Sequence, residues 1–401
     1  HRAIAKEIGE EGIVLLKNQN NVLPINLAKT KKIAVIGENA IKMMTVGGGS
    51  SSLKVKYETS PLDGIKARFG KNAEVNYARG YVGDVGGEYN GVKTGKDLTD
   101  KRSPAELTKE AVELAKKSDF VIFVGGLNKS DFQDSEGNDR KELGLPYNQN
   151  ELISALAKAN KNFAVLMVSG NAVAMPWVKE VPSIVQAWYL GSESGNAIAS
   201  ILAGDANPSG KLPFTFPVKL EDNAAHAVGE YPGNKEELAL GKGKDQQNPI
   251  NITYNESILV GYRWHDTKNI KPLFSFGHGL SYTTFEIGQA KADKTNITEN
   301  ETITFTIPVK NTGKKAGAEV VQLYVSDLKS SVLRPAKELK GFEKVYLNPG
   351  ETKNVTITID KSALSYFDAE KHDWVAEPGD FEALIGNSSD AIKTKIKFSL
   401  H

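Results

Sequence analysis

Residues 103–124 read SPAELTKEAVELAKKSDFVIFV, and this stretch sets the fold class. Ser103 is followed by Pro104, suited to a first helical position, and by Glu106 three residues on, the pattern of a capping box. Leu107, Ala111, Leu114 and Ala115 then share one helical face. Phe120–Val124 is apolar without alternation, as in a strand buried on both faces. The same helix and strand signals recur on either side. Lys32–Gly37 is a short apolar run closed by glycine. Leu152, Ile153, Leu156 and Ala159 mark a helix, and Phe163–Val168 a strand. Ile184–Trp188 reads as a further strand, and Asn196–Ala203 as a helix stopped by Gly204. Ile4, Ile8 and Leu15 suggest a helix from Arg2 to about Leu16. The expectation for residues 1–217 is α/β, a mostly parallel sheet sandwiched by helices.

Downstream the pattern changes. Periodicity fades over 218–285, where Gly, Asn, Pro and Lys crowd 229–249, and the segment reads as an extended strap with a mobile loop. Over 286–401 alternation takes over: Ile303, Phe305, Ile307 and Val309; Val321, Leu323 and Val325; Val355, Ile357 and Ile359; Ile396, Phe398 and Leu400. Turn signals at Asn311-Thr312-Gly313, Asn348-Pro349-Gly350 and Glu377-Pro378-Gly379 separate them. That spacing predicts an all-β fibronectin/immunoglobulin-like sandwich.

A chain of 401 residues suits two or three domains. Net charge is +1, with 25% charged residues, which argues against a nucleic-acid partner. The absence of cysteine excludes disulfides, thiolate metal sites and thiol nucleophiles. The most apolar long stretch, Phe163 to Val178, is broken by Ser169, Gly170, Asn171 and Pro176, so no membrane span is expected. The six histidines form no i, i+4 pair and sit near no carboxylate cluster at ligand spacing, so no metal is expected.

The chemistry lies just past the 120–124 strand, in Gln133-Asp134-Ser135-Glu136-Gly137-Asn138-Asp139-Arg140. An acid on a loop leaving a strand end can face a cleft and hand a proton to a bound substrate. Spacing alone favours the plainer reading, a surface glutamate paired with Arg140. Asp139 beside Arg140 reads as a loop-holding ion pair.

Eleven further runs carry a resemblance, in order: Gly12-Ile13-Val14-Leu15-Leu16-Lys17-Asn18, Leu23-Pro24-Ile25, Ile33-Ala34-Val35-Ile36-Gly37, Gly47-Gly48-Gly49-Ser50, Leu143-Gly144-Leu145-Pro146-Tyr147-Asn148-Gln149, Ala187-Trp188-Tyr189, Gly195-Asn196-Ala197, the 204–213 run GDANPSGKLP, Val260-Gly261-Tyr262-Arg263-Trp264, Phe276-Gly277-His278-Gly279-Leu280-Ser281-Tyr282 and Glu338-Leu339-Lys340-Gly341-Phe342. With the Glu136 loop they resemble the C-terminal half of family 3 glycoside hydrolases, the β-glucosidase and β-xylosidase group. The resemblance implies an exo-acting, retaining hydrolase of terminal β-glucosyl residues. Glu136 matches the general acid/base. The nucleophile would be an aspartate on an N-terminal barrel domain preceding His1, so this part alone is expected to be inactive. Gly49, Ser50, Ser51 and Asp134 would lie at the rim of the sugar pocket. Some members carry an aromatic residue where this chain has serines, which leaves the preferred linkage open. The implied partners are a β-linked oligosaccharide or glucoside and that barrel. No cofactor is implied, and a periplasmic or secreted location is expected.

Two rivals stand beside this reading. A non-catalytic carbohydrate-binding or scaffolding module would also suit a β-sandwich. Nucleotide binding at the glycine run is disfavoured, because no G-x-G-x-x-G joins a strand to a helix there. An in-chain nucleophile from Asp131, Asp134 or Asp139 is disfavoured too, since all three share one loop with Glu136.

Overall fold

The computed structural model describes residues 1–45, 53, 55–83, 88–89, 92–93, 98–130, 132–136, 139–229, 231–242 and 248–401. The chain divides into two compact units. The first comprises His1–Lys211, Gly279–Thr284 and Lys315–Ala318; the second comprises Leu212–His278, Phe285–Lys314 and Glu319–His401.

The first unit runs α1 (Arg2–Gly12), β1 (Val14–Asn18), β2 (Lys32–Ile36), α2 (Pro61–Phe69), β3 (Glu74–Ala78), β4 (Glu88–Tyr89), β5 (Val92–Lys93), α3 (Pro104–Lys116), β6 (Phe120–Gly126), α4 (Gln149–Ala159), β7 (Phe163–Val168), β8 (Ser183–Gln186) and α5 (Ser194–Ala203). Six strands form one sheet in the order β1-β8-β7-β6-β2-β3. All its pairings are parallel except β1 with β8. Every residue of β6 and β7 is buried, as expected for strands covered on both faces. The capping box forms as read: Ser103 accepts from the Glu106 backbone, and Glu106 reaches back to the Ser103 backbone.

Two boundaries differ from the sequence reading. The first helix stops at Gly12, and Val14–Asn18 is a strand. Ile13, Val14, Leu15 and Leu16 are all buried, while Ile4 and Ile8 are 59% and 68% exposed. Four consecutive buried side chains cannot share one helical stripe, so the sheet edge takes them. The last strand ends at Gln186. Trp188 sits at φ 55°, half-buried, with its indole N–H donated to the Gly12 carbonyl rather than packed in the core.

Glu193, at the start of α5, ties this helix to α1. Its buried carboxylate accepts from Arg2 Nε at 2.7 Å, from the Tyr57 hydroxyl at 2.6 Å and from Asn196. Burial pushes its pKa up, but the Tyr57, Asn196 and Arg2 donors outweigh it and hold the group at about 2, against 4.5 ordinarily. A depressed folded pKa contributes stability above the unfolded value, lost as pH falls from 4.5 through about 2. Thermal melts across that window should therefore show a steeper fall for wild type than for Glu193→Gln. Parallel curves would contradict the assignment.

The second unit contains short helices α6 (Ala224–Ala227), α7 (Lys235–Ala239), α8 (Tyr262–Lys268) and α9 (Lys361–Leu364). Its strands are β9 (Phe285–Ile287), β10 (Lys291–Ala292), β11 (Asn296–Ile297), β12 (Ile303–Asn311), β13 (Gly317–Asp327), β14 (Glu338–Leu347), β15 (Thr352–Ile359), β16 (Tyr366–Asp368), β17 (Asp373–Val375), β18 (Gly379–Gly386) and β19 (Ile392–Leu400). One sheet orders as β10-β12-β15 with β9 on β12, the other as β11-β19-β18-β13-β14. Ile303, Phe305, Ile307 and Val309 are fully buried on alternate positions and pack with Leu323, Phe381 and Phe398. The Glu338–Phe342 run, read only as part of a resemblance, opens strand β14, whose residues are mostly half-buried or exposed and so carry no alternation to read.

Candidate active site

The first unit's parallel strands all end on one edge, and ligands of open α/β sheets bind outside the carboxyl ends of the strands. The loop from β6 to α4 begins there at Gly126, which lies at φ 123°. A Cβ at Gly126 would fall 2.2 Å from the Val168 carbonyl oxygen. Buried Gln149, the first residue of α4, clamps this point: its side chain accepts from Gly126 N–H at 2.8 Å and donates to Gly126 O at 2.9 Å. Leu127 N–H reaches Val168 O, and Asn39 Nδ2 reaches Leu127 O.

Beyond that anchor the loop closes on itself. Asn128 N–H donates to Gln133 Oε1, Ser130 N–H donates to Asn128 Oδ1, and Asp134 N–H donates to Asn128 O. Gln133 Nε2 continues to the Tyr147 hydroxyl at 2.8 Å. Tyr147 stacks on the fully buried Tyr81, with centroids 5.9 Å apart. Beneath lies a buried ion pair, Glu38 with Arg79 at 2.8 Å, whose carboxylate also accepts from Gly83 N–H.

Asp134 fastens the loop to its neighbours. It accepts from Gly170 N–H at 2.6 Å, from the Tyr189 hydroxyl at 2.8 Å and from Asn171 Nδ2 at 3.1 Å. These donors come from the segments following β7 and β8. Burial first, and then the Asp134 charge, push the Tyr189 hydroxyl well above its ordinary pKa, so it stays a neutral donor. The Lys129 ammonium sits 4.2 Å from the Tyr189 ring centroid. Arg140 donates through Nη2 to Ala172 O, and burial lowers its pKa. Asp134→Ala would leave Tyr189 and Gly170 without their acceptor. It should cost about 1–3 kcal/mol, read as a lower unfolding midpoint; an unchanged midpoint would contradict the anchoring role.

Glu136 stands two residues past this anchor, exposed, on the segment so held. Phe132 and Tyr147, which bracket it, lie at φ 59° and 62°, and Trp188 of the post-β8 segment lies at 55°. Non-glycine residues held there store strain, and such strain clusters at functional sites. Of the candidates read from sequence, Glu136 and Asp134 thus lie on one pinned loop. Gly49, Ser50 and Ser51 lie outside the described residues. Sequence reasoning missed Tyr189, Asn171 and Gln149. Tyr189 stands inside the Ala187-Trp188-Tyr189 run, which carries the resemblance without giving the tyrosine a role. Gln149 closes the Leu143–Gln149 run, which gives it no role of its own, and nothing local marks Asn171.

The chain thus joins a mostly parallel α/β unit, with a carboxylate-bearing loop leaving its strand ends, to a β-sandwich unit. The model described as Glycosyl hydrolase family 3 C-terminal domain matches residues 13–282, and a fibronectin type III-like model matches 319–389; the chain belongs to glycosyl hydrolase family 3. It is 51% identical to Beta-glucosidase BoGH3A of Bacteroides ovatus, over 99% of this chain and 51% of that protein. It is 42% identical to Thermostable beta-glucosidase B of Acetivibrio thermocellus, over 98% of this chain and 48% of that protein. The crystal structure of beta-glucosidase from Kluyveromyces marxianus in complex with glucose superposes with a TM-score of 0.86 at 30% identity, covering all of this chain and 62% of that one. The chain therefore spans about half the length of the curated relatives named here.

Proposed function

We propose that this chain is the C-terminal half of a retaining, exo-acting β-glycosidase of β-glucosidase type, with Glu136 as its general acid/base. The observation that carries this reading is the placement of Glu136, exposed on a loop that Asp134 pins over the carboxyl ends of the parallel strands. Glucose bound in the Kluyveromyces marxianus relative supports a glucoside as substrate.

In the first step a carboxylate attacks the anomeric carbon, the glycosidic C–O bond breaks, and the Glu136 proton passes to the leaving oxygen. In the second, water attacks the same carbon, the bond to the first carboxylate breaks and frees it, and the water's proton passes to Glu136, regenerating the acid. Retention requires the two carboxyl groups to stand roughly 5–5.5 Å apart across the sugar. Asp134 gives its oxygens to three donors and serves as an anchor; the family resemblance assigns it, with Gly49, Ser50 and Ser51, a role in holding the sugar. The nucleophile is then an aspartate of an N-terminal barrel domain outside these 401 residues, and the chain alone turns over no glucoside. A periplasmic or secreted location fits a protein that trims oligosaccharides.

A 2-deoxy-2-fluoro-glucoside with a good leaving group tests the division of labour, because it forms the glycosyl-enzyme and stalls there. With the barrel-containing enzyme, peptide mapping should find the label on an aspartate outside this chain. A label on any carboxylate of residues 1–401 would overturn the proposal.

A further inference from the structure

We infer that the β-sandwich unit carries a second sugar-binding cleft, for a neutral β-linked gluco-oligosaccharide, where the β16–β17 hairpin meets Arg263 of α8 and the Arg334–Lys340 segment. The cleft has a volume of about 830 Å³, within the range of ligand sites, roughly 300–1,000 Å³.

One part of its lining is aromatic. Phe367 and Trp374 are direct partners across the hairpin, with ring centroids 5.8 Å apart at 72°. They are 53% and 64% exposed. Two large rings left in water together are a cost that a bound apolar face would relieve. The rest of the lining is a fixed polar array. Glu338 is held by Arg263 at 3.0 Å, Arg334 at 3.0 Å and Lys340 at 3.5 Å. The Arg334 and Glu338 side chains are only 9% and 12% exposed, so the array is set before any ligand arrives.

Charge decides the class of occupant. The cleft is lined by four cationic and four carboxylate side chains. Each cation already has a carboxylate partner: Arg263, Arg334 and Lys340 share Glu338, and Lys371 pairs with Asp368 at 3.2 Å. A phosphate or an acidic peptide would have to break these pairs. A polyol would not, since hydroxyls both donate to carboxylates and accept from guanidinium groups. A β-linked glucan has its substituents equatorial, so each ring offers a flat C–H face to stack on an aromatic side chain. The two rings at a steep angle supply a stepped surface for such a chain.

The test uses the 401-residue chain, with cellohexaose in calorimetric titration and hydroxyethyl cellulose in native affinity gels. Wild type should bind, and Trp374→Ala and Phe367→Ala should each weaken binding by about tenfold or more with unchanged melting midpoints. Glu136→Gln should bind as wild type, which separates this cleft from the catalytic reading. No binding, or binding unaffected by Trp374→Ala, would overturn the inference. So would loss of binding in Glu136→Gln alone, or equal retardation by polygalacturonate, which would signal attraction by charge. If Trp374→Ala abolished self-association in sedimentation while sparing cellohexaose binding, the aromatic pair would be a protein contact and the inference would fall.

Discussion

In the proposed barrel-containing enzyme, Glu136→Gln should lower kcat/KM for cellobiose by roughly 10²–10⁴-fold, the usual contribution of a positioned acid. It should barely change the first step on 2,4-dinitrophenyl glucoside. The contrast follows from what the acid does. An alkoxide cannot leave the anomeric carbon without a proton, whereas dinitrophenolate departs as a stable anion. Glutamine preserves the shape and exposure of the side chain but has no proton to give at neutral pH. A merely structural role for Glu136 predicts the same loss on both substrates. Equal losses, or none on either, would remove the proton-donor assignment.

The second large effect is expected at Gly126. Alanine there must hold φ near 123° and place its Cβ 2.2 Å from the Val168 carbonyl oxygen. Strain at such a backbone position costs on the order of 1–3 kcal/mol, and overpacking a similar amount. We expect a loss of about 3 kcal/mol or more and a fall of roughly 6–12 °C in the melting of the α/β unit. The obstacle is backbone, so β6 and β7 must separate locally, which moves the start of the loop bearing Asp134 and Glu136. Gly144→Ala is the control: that glycine is on the same loop, has no atom within 4 Å of an added Cβ, and is not at positive φ. It should melt within about 0.5 kcal/mol of wild type. Wild-type stability in Gly126→Ala would refute the close approach of the two strands.

What could be read from the sequence follows the range of the forces involved. Buried strands such as Phe163–Val168, the capping box at Ser103 and the alternation at Ile303–Val309 are set by neighbours a few residues away, and they appear where they were read. The edge strand Val14–Asn18 was mistaken for helix because its partner, Ser183–Gln186, lies far along the chain. Strand β14 has little buried alternation, so tertiary pairing and not pattern makes it a strand. At the candidate site, spacing alone left Glu136 a surface residue; only the resemblance singled it out. The anchor that holds its loop was invisible because it is non-local. Asp134 meets Tyr189 at a separation of 55 residues, and Arg79 meets Glu38 at 41. No periodicity encodes such pairs.

The most direct measurement is the product that Glu136→Gln makes from 2,4-dinitrophenyl glucoside when azide is added. Without its base, the variant should accumulate the glycosyl-enzyme, since water now attacks unaided. Azide needs no deprotonation, and the missing carboxylate no longer repels it. Turnover should rise with azide concentration and yield β-glucosyl azide, with configuration retained. A rate indifferent to azide, with glucose as the sole product, would contradict Glu136 as the proton carrier.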